Sequence, residues 1–159
     1  MSDRLRRAGH GTAPDGAIVT WTVAEGRRGR RWREVVRTGE GIRSSLLLEL
    51  DPDGRFSHLE LSTAAGLLTL HPEGDGTLHG NRVTAAGVEH LVGLPWDSDG
   101  SVMLEGSTVC RAAARSRHGL LIGLDLDVRS VTAVEPGPSI DPDGYPVLDG
   151  AEDWPLELD

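Results

Sequence analysis

The chain reads as an all-β protein, an antiparallel curled sheet or barrel of roughly ten strands around an internal cavity. Three observations predict this. First, Ser45–Leu50 and Arg55–Leu61 are strand-length runs flanking Asp51-Pro52-Asp53-Gly54. In such a turn Pro presets φ, Gly accepts positive φ, and the Asp side chains bond the turn backbone. Second, the arrangement recurs at Leu67–His71, where Pro72-Glu73-Gly74-Asp75-Gly76 leads into the next run. Third, no segment carries helical spacing with caps over more than about a turn or two. Closing many short strands removes exposed edges, which favours a barrel or a strongly curled sheet.

The elements follow in order. Residues 1–16 are rich in Gly, Pro and Arg without periodicity and are expected to form a mobile tail. Ala17–Val23 reads as a strand, Glu25–Arg31 as a turn and Arg31–Arg37 as the return strand, with Trp21 packed on Trp32 across it. The hairpin at 45–61 comes next. Thr63–Gly66 turns the chain into Leu67–His71, and the turn at 72–76 leads to a short strand at 77–79. Asn81–Ala86 and Val88–Val92 are weaker strands, and Pro95–Gly100 is a loop. Ser101–Ala114 and Gly119–Val134 read as long strands. A helix over Ser107–Arg117 is the rival reading, favoured by Ala112–Ala114 and opposed by Val102, Leu104 and Val109. Three prolines in 136–144 exclude a central strand there. The expected organisation is a tail at 1–16, a β domain at 17–135, and an acidic Pro-rich segment at 136–159 packed on it.

A length of 159 residues suits one domain with its own core. No run approaches the roughly 20 apolar residues of a membrane span, so stable membrane insertion is not expected. Met1–Arg7 is basic but no apolar stretch follows, unlike a secretory signal. The single Cys110 has no intramolecular disulfide partner, and a cytoplasmic location is the expectation. Lysine is absent, and Arg, Gly and Pro are frequent, as in a bacterial GC-rich genome. Charge is polarised. Residues 1–37 hold nine Arg against four acids, and residues 38–159 hold seven Arg against 21 acids. The acidic body argues against a nucleic-acid partner, because neutralising phosphates needs a continuous basic surface.

Successive strand residues point to opposite faces. A four-residue loop at 51–54 would pair Leu50 with Arg55, Glu49 with Phe56, and Leu47 with His58. Leu46, Leu48, Leu50, Ser57, Leu59 and Leu61 then form the core face. Leu47, Glu49, Phe56, His58 and Glu60 share the other, a mixture that suits a ligand pocket. In 88–92, Val88, His90 and Val92 alternate with Glu89 and Leu91. In 101–112, Val102, Leu104, Thr108 and Cys110 oppose Met103, Glu105, Val109 and Arg111. In 119–128, an apolar row opposes Asp125 and Asp127. The candidate apolar wall is therefore Leu47, Phe56, Val88 and Val92, with Arg43 and Arg111 orienting a ligand's polar end. The candidate acid–base groups are His58, Glu60, His90 and Asp125.

Plainer readings stand beside these. Glu49, Glu60, Asp125 and Asp127 suit the wet face of an antiparallel sheet. His71 and His79 flank a turn and read as surface residues. The His spacing shows no close zinc-type pair, so no metal is assigned. No cofactor fingerprint is present, and none is assigned. Cys110 reads as a small buried hydrophobe. The run Arg27-Arg28-Gly29-Arg30-Arg31-Trp32-Arg33 would suit an anionic head group or an acidic partner. It equally suits a solvated hairpin tip paired with the acidic C-terminal segment.

The order of several features is familiar. An early Trp21 precedes Leu48-Glu49-Leu50-Asp51, then Leu67-Leu68-Thr69-Leu70-His71, a turn with Gly74-Asp75-Gly76, Leu94-Pro95-Trp96, and Ile140-Asp141-Pro142-Asp143-Gly144-Tyr145. Over residues 17–149 this resembles the bacterial putative glycolipid-binding proteins. That resemblance implies a curled multi-stranded sheet, similar to the periplasmic lipoprotein carriers, enclosing an apolar cavity. The family's acidic pair before the Pro loop and its Asn after it are replaced here by His90-Leu91-Val92-Gly93 and Asp97-Ser98-Asp99-Gly100.

Three functions compete. The leading one is binding of an amphipathic or hydrophobic small molecule, such as a lipid, glycolipid or polyketide, in the cavity. The second is a cofactor-free cyclase or isomerase of bacterial secondary metabolism that folds its substrate there. The third is a protein-interaction module using the Arg-rich hairpin. A homodimer is compatible with each.

Overall fold

Alternating large apolar and polar residues build a long antiparallel meander. The computed structural model describes residues 6–13, 15–114, 121–128, 130–132 and 149–155. Eight consecutive strands pair with their chain neighbours: β1 (Arg6–Thr12), β2 (Ile18–Gly26), β3 (Gly29–Thr38), β4 (Gly41–Leu50), β5 (Phe56–Thr63), β6 (Gly66–Pro72), β7 (Thr77–Thr84) and β8 (Gly87–Pro95). A ninth strand, β12 (Asp149–Pro155), returns from the far end of the chain to pair with β1. The sheet runs from β12 to β8 and does not close. The antiparallel all-β class is therefore as expected.

A second, three-stranded sheet follows β8. It comprises β9 (Ser101–Leu104), β10 (Leu121–Leu124) and β11 (Ser130–Thr132). β9 and β10 run parallel, and α1 (Thr108–Ala113) lies in their connection.

One face of the large sheet carries Val19, Trp21, Val23, Trp32, Leu46, Leu48, Leu59, Leu61, Leu68, Leu70 and Leu78, all buried. The segment β9–α1–β10 covers that face with Val102, Met103, Leu104, Val109, Cys110, Ala112, Ile122 and Leu124. Trp21 and Trp32 pack at 6.4 Å between ring centroids, tilted by 44°. Close strand packing demands glycine at three described positions, Gly29, Gly66 and Gly80. A Cβ on Gly80 would stand 1.8 Å from the Thr69 carbonyl oxygen, and one on Gly66 1.9 Å from that of Val83.

Four expectations are corrected. Part of the expected N-terminal tail is strand β1, inserted between β2 and β12, because its backbone groups complete both ladders. Ser101–Ala114 is not one long strand. Gly106, at φ 79°, turns the chain out of β9. Ser107 then caps α1, its hydroxyl accepting the Cys110 N–H at 3.1 Å. The long strand expected at 119–134 is interrupted after Leu124 by a turn, in which the Asp125 carboxylate accepts the Asp127 N–H at 3.0 Å.

The fourth correction is register. The loop closes at Asp51, whose N–H reaches the Arg55 carbonyl at 2.7 Å. Leu50 then pairs with Phe56, and Glu49 with His58, leaving Ser57 as an extra residue. The Ser57 hydroxyl donates to the Glu49 carbonyl at 3.1 Å, which fills the bulge. Leu47 therefore faces Glu60, not His58. Phe56 and His58 fall on opposite faces.

Candidate functional site

Chemistry-bearing residues fall into three zones, and the bulge at Ser57 separates the first two. The first is an apolar pocket where the β4–β5 hairpin meets the covering segment. Leu48, Leu50, Gly54, Phe56, Ser101, Val102, Cys110, Ala113 and Ala114 line it. Phe56 and Trp96 meet edge-on at its margin, 5.3 Å between centroids. The interior measures about 10 Å³, about the room one water needs. Cys110 is fully buried here, and burial pushes its thiol up to about 11, so it is a protonated hydrophobe at neutral pH.

The second zone is the sheet face opposite α1, which no described segment covers. Leu47, His58 and Glu60 lie there, with Glu49 and Arg31. His58 Nε2 donates to Glu60 Oε1 at 3.1 Å, and Arg31 Nε donates to Glu49 Oε1 at 3.0 Å. One strand on, His71 Nε2 donates to Glu73 Oε1 at 2.9 Å. His90 is exposed on β8, its Nδ1 hydrogen-bonded to Asn81 Oδ1 at 2.6 Å. Val88 and Val92 are 62% and 69% exposed, too open to wall a cavity. Arg82 and Glu89 pair across β7 and β8 on the opposite face, in line with Leu68.

The third zone is the joint between β3 and α1. Glu34 is 2% exposed. Its carboxylate accepts the Val109 N–H at 3.3 Å and the Thr108 hydroxyl at 3.4 Å. Burial raises its pKa, while bonds from Ser107, Val109 and Thr108 and the charge of Arg111 pull it back. A second joint lies at the end of β5, where the Thr63 hydroxyl donates to the Leu126 carbonyl at 2.7 Å.

The expected convergence of His58, Glu60, His90, Asp125 and Arg111 inside one cavity is not found. His58, Glu60 and His90 are on or beside the uncovered face. Arg111 is in α1 on the covered side, and Asp125 shapes its own turn. Phe56 reaches an apolar pocket, but from the side opposite Leu47. Arg43 is committed elsewhere: its Nη1 lies 2.7 Å from Asp15 Oδ2, tying the β1–β2 turn to β4. The Ala17 N–H and then Arg43 hold the Asp15 carboxyl below its ordinary range.

Glu34 was missed by sequence reasoning, since a lone Glu in Arg33-Glu34-Val35 resembles any surface residue. The alternation Trp32, Glu34, Val36 was the available signal, because it shares the core parity of Trp32. No long apolar helix capable of crossing a membrane occurs among the described residues. No protein-family profile matches the chain, and no curated protein or solved structure is significantly similar to it.

Proposed function

We propose that the protein binds an amphipathic small molecule whose apolar part enters between the β4–β5 hairpin and α1. The observation that carries this reading is the pocket lined by Leu48, Leu50, Phe56, Val102, Ala113 and Ala114 at the margin of the core. The covering segment supports it: α1 has only six residues, and its polar tie to the sheet is Glu34. A short helix held this way lifts at modest cost. Arg55 and Arg111, each one residue from a pocket-lining position, are the cations this reading assigns to an acidic head group. The resemblance to glycolipid-binding proteins makes a glycolipid the first ligand class to try. A cyclase or isomerase would use the same pocket. Its acid–base group would come from the Glu34 side, since His58 and Glu60 lie across the sheet.

The test is titration with a single-chain glycolipid, read by tryptophan fluorescence, since Trp96 stands against Phe56. The wild type is expected to show a saturable change, and Ala113→Phe, which fills the pocket, to weaken it more than about tenfold. Equal binding by Ala113→Phe moves the site elsewhere. Mass analysis of the recovered lipid separates a binder, which returns it unchanged, from an enzyme.

One observation favours a second reading. Arg27 and Arg28, exposed at the β2–β3 tip, have no ion-pair partner among the described residues. An acidic protein held there would dissociate with added salt, because exposed charges are screened over about 8 Å at physiological ionic strength.

A further inference from the structure

We infer that the β6–β7 hairpin is a binding site for a divalent transition-metal ion, with Zn²⁺ as the best match, held by His71, His79 and Glu73. His71 and His79 are symmetric about the turn, and the ladder makes them direct cross-strand partners. Their ring centroids are 6.4 Å apart. Glu73 reaches both: its Oε1 lies 2.9 Å from His71 Nε2 and 4.0 Å from His79 Nδ1.

The backbone beneath is fixed. The Glu73 N–H donates to the Thr77 carbonyl at 2.8 Å, and the Asp75 carboxylate accepts the Thr77 N–H at 3.1 Å. Entry is open, since the three side chains keep 44%, 31% and 42% of their surface exposed.

As the side chains stand, no three donors among the described residues surround one point. The remaining movement is small. An ion bound tetrahedrally to both rings at about 2.1 Å holds their centroids about 5 Å apart. The two ring centroids therefore have to approach by about 1 Å. Two imidazoles and one carboxylate, with a fourth position for water, is a donor set that zinc accepts. Calcium and magnesium prefer all-oxygen ligands, and the imidazoles select against them.

The experiment uses the whole protein stripped with a chelator and titrated calorimetrically with zinc chloride. A parallel titration with Co²⁺ is followed by its visible absorption. The expected result is one ion per chain, with a tetrahedral Co²⁺ spectrum. Affinity should fall as pH drops, because the imidazoles must be neutral to ligate. His71→Ala and His79→Ala should each weaken binding more than about tenfold. His58→Ala, on the neighbouring strand, should leave it unchanged. Circular dichroism verifies that each variant keeps its sheet. Absence of saturable binding overturns the site, as does binding that survives the double substitution or falls equally with His58→Ala.

Discussion

The two faces of the large sheet are made by the same strands, yet they obey different rules. On the covered face, Trp21, Trp32 and the paired leucines of β4, β5 and β6 leave water entirely. On the open face, the intervening positions hold Arg31, Glu49, His58, Glu60, His71 and His79, each half-buried or exposed. Apolar burial is worth roughly 25 cal/mol per Å², whereas an exposed ion pair contributes about 0–1 kcal/mol. Stability therefore resides on one face, and the other is available for chemistry.

Substitutions sharpen that contrast. The largest effect is expected for Trp32→Ala, about 3–5 kcal/mol in chemical denaturation, with Val88→Ala within about 0.5 kcal/mol as its partner on the open side. If both cost the same, the division between faces is wrong. Next comes Gly80→Ala. Its new methyl would meet the Thr69 carbonyl at 1.8 Å, which backbone alone can relieve. A loss of about 1–3 kcal/mol is expected, against almost none for Gly39→Ala, where the space is open.

The smallest effect concerns Glu34, a carboxylate buried on the covered side. Burial raises the Glu34 pKa above its ordinary 4.5. The folded state thus binds this proton more tightly than the unfolded chain does. The associated stabilisation is full below about the ordinary value and is lost as pH rises through the raised one. Glu34→Gln should flatten stability across that window and match or exceed the wild type above it, as read by unfolding at a series of pH values.

The strands β2 to β6 and β8 were legible because Asp-Pro-Asp-Gly, Gly74-Asp75-Gly76 and two-residue alternation mark both turns and faces locally, whereas the two short strands expected at 77–79 and 81–86 are one continuous strand, Thr77–Thr84. The bulge was not legible. It depends on the Ser57 hydroxyl meeting the Glu49 carbonyl, a contact no pattern announces, and it alone moves Phe56 off the face assigned to it. The covering segment was misread for a related reason. Val102, Leu104 and Val109 are apolar because they are buried, whatever their backbone conformation, so strand propensity and core demand look alike. His71 and His79 went unpaired because sequence separation hides a cross-strand contact until register is known.

The pairing of β1 with β12 has a kinetic corollary. Every other ladder in the large sheet joins strands connected by short turns, whereas Arg7 opposite Pro155 unites distant parts of the chain. Loop-closure entropy grows with the logarithm of the enclosed length, and non-local contacts slow folding. The meander can zip hairpin by hairpin, leaving that outer seam to form last. In hydrogen exchange, amides of β12 should be the first of the sheet to open, and those of β4 and β5 the last.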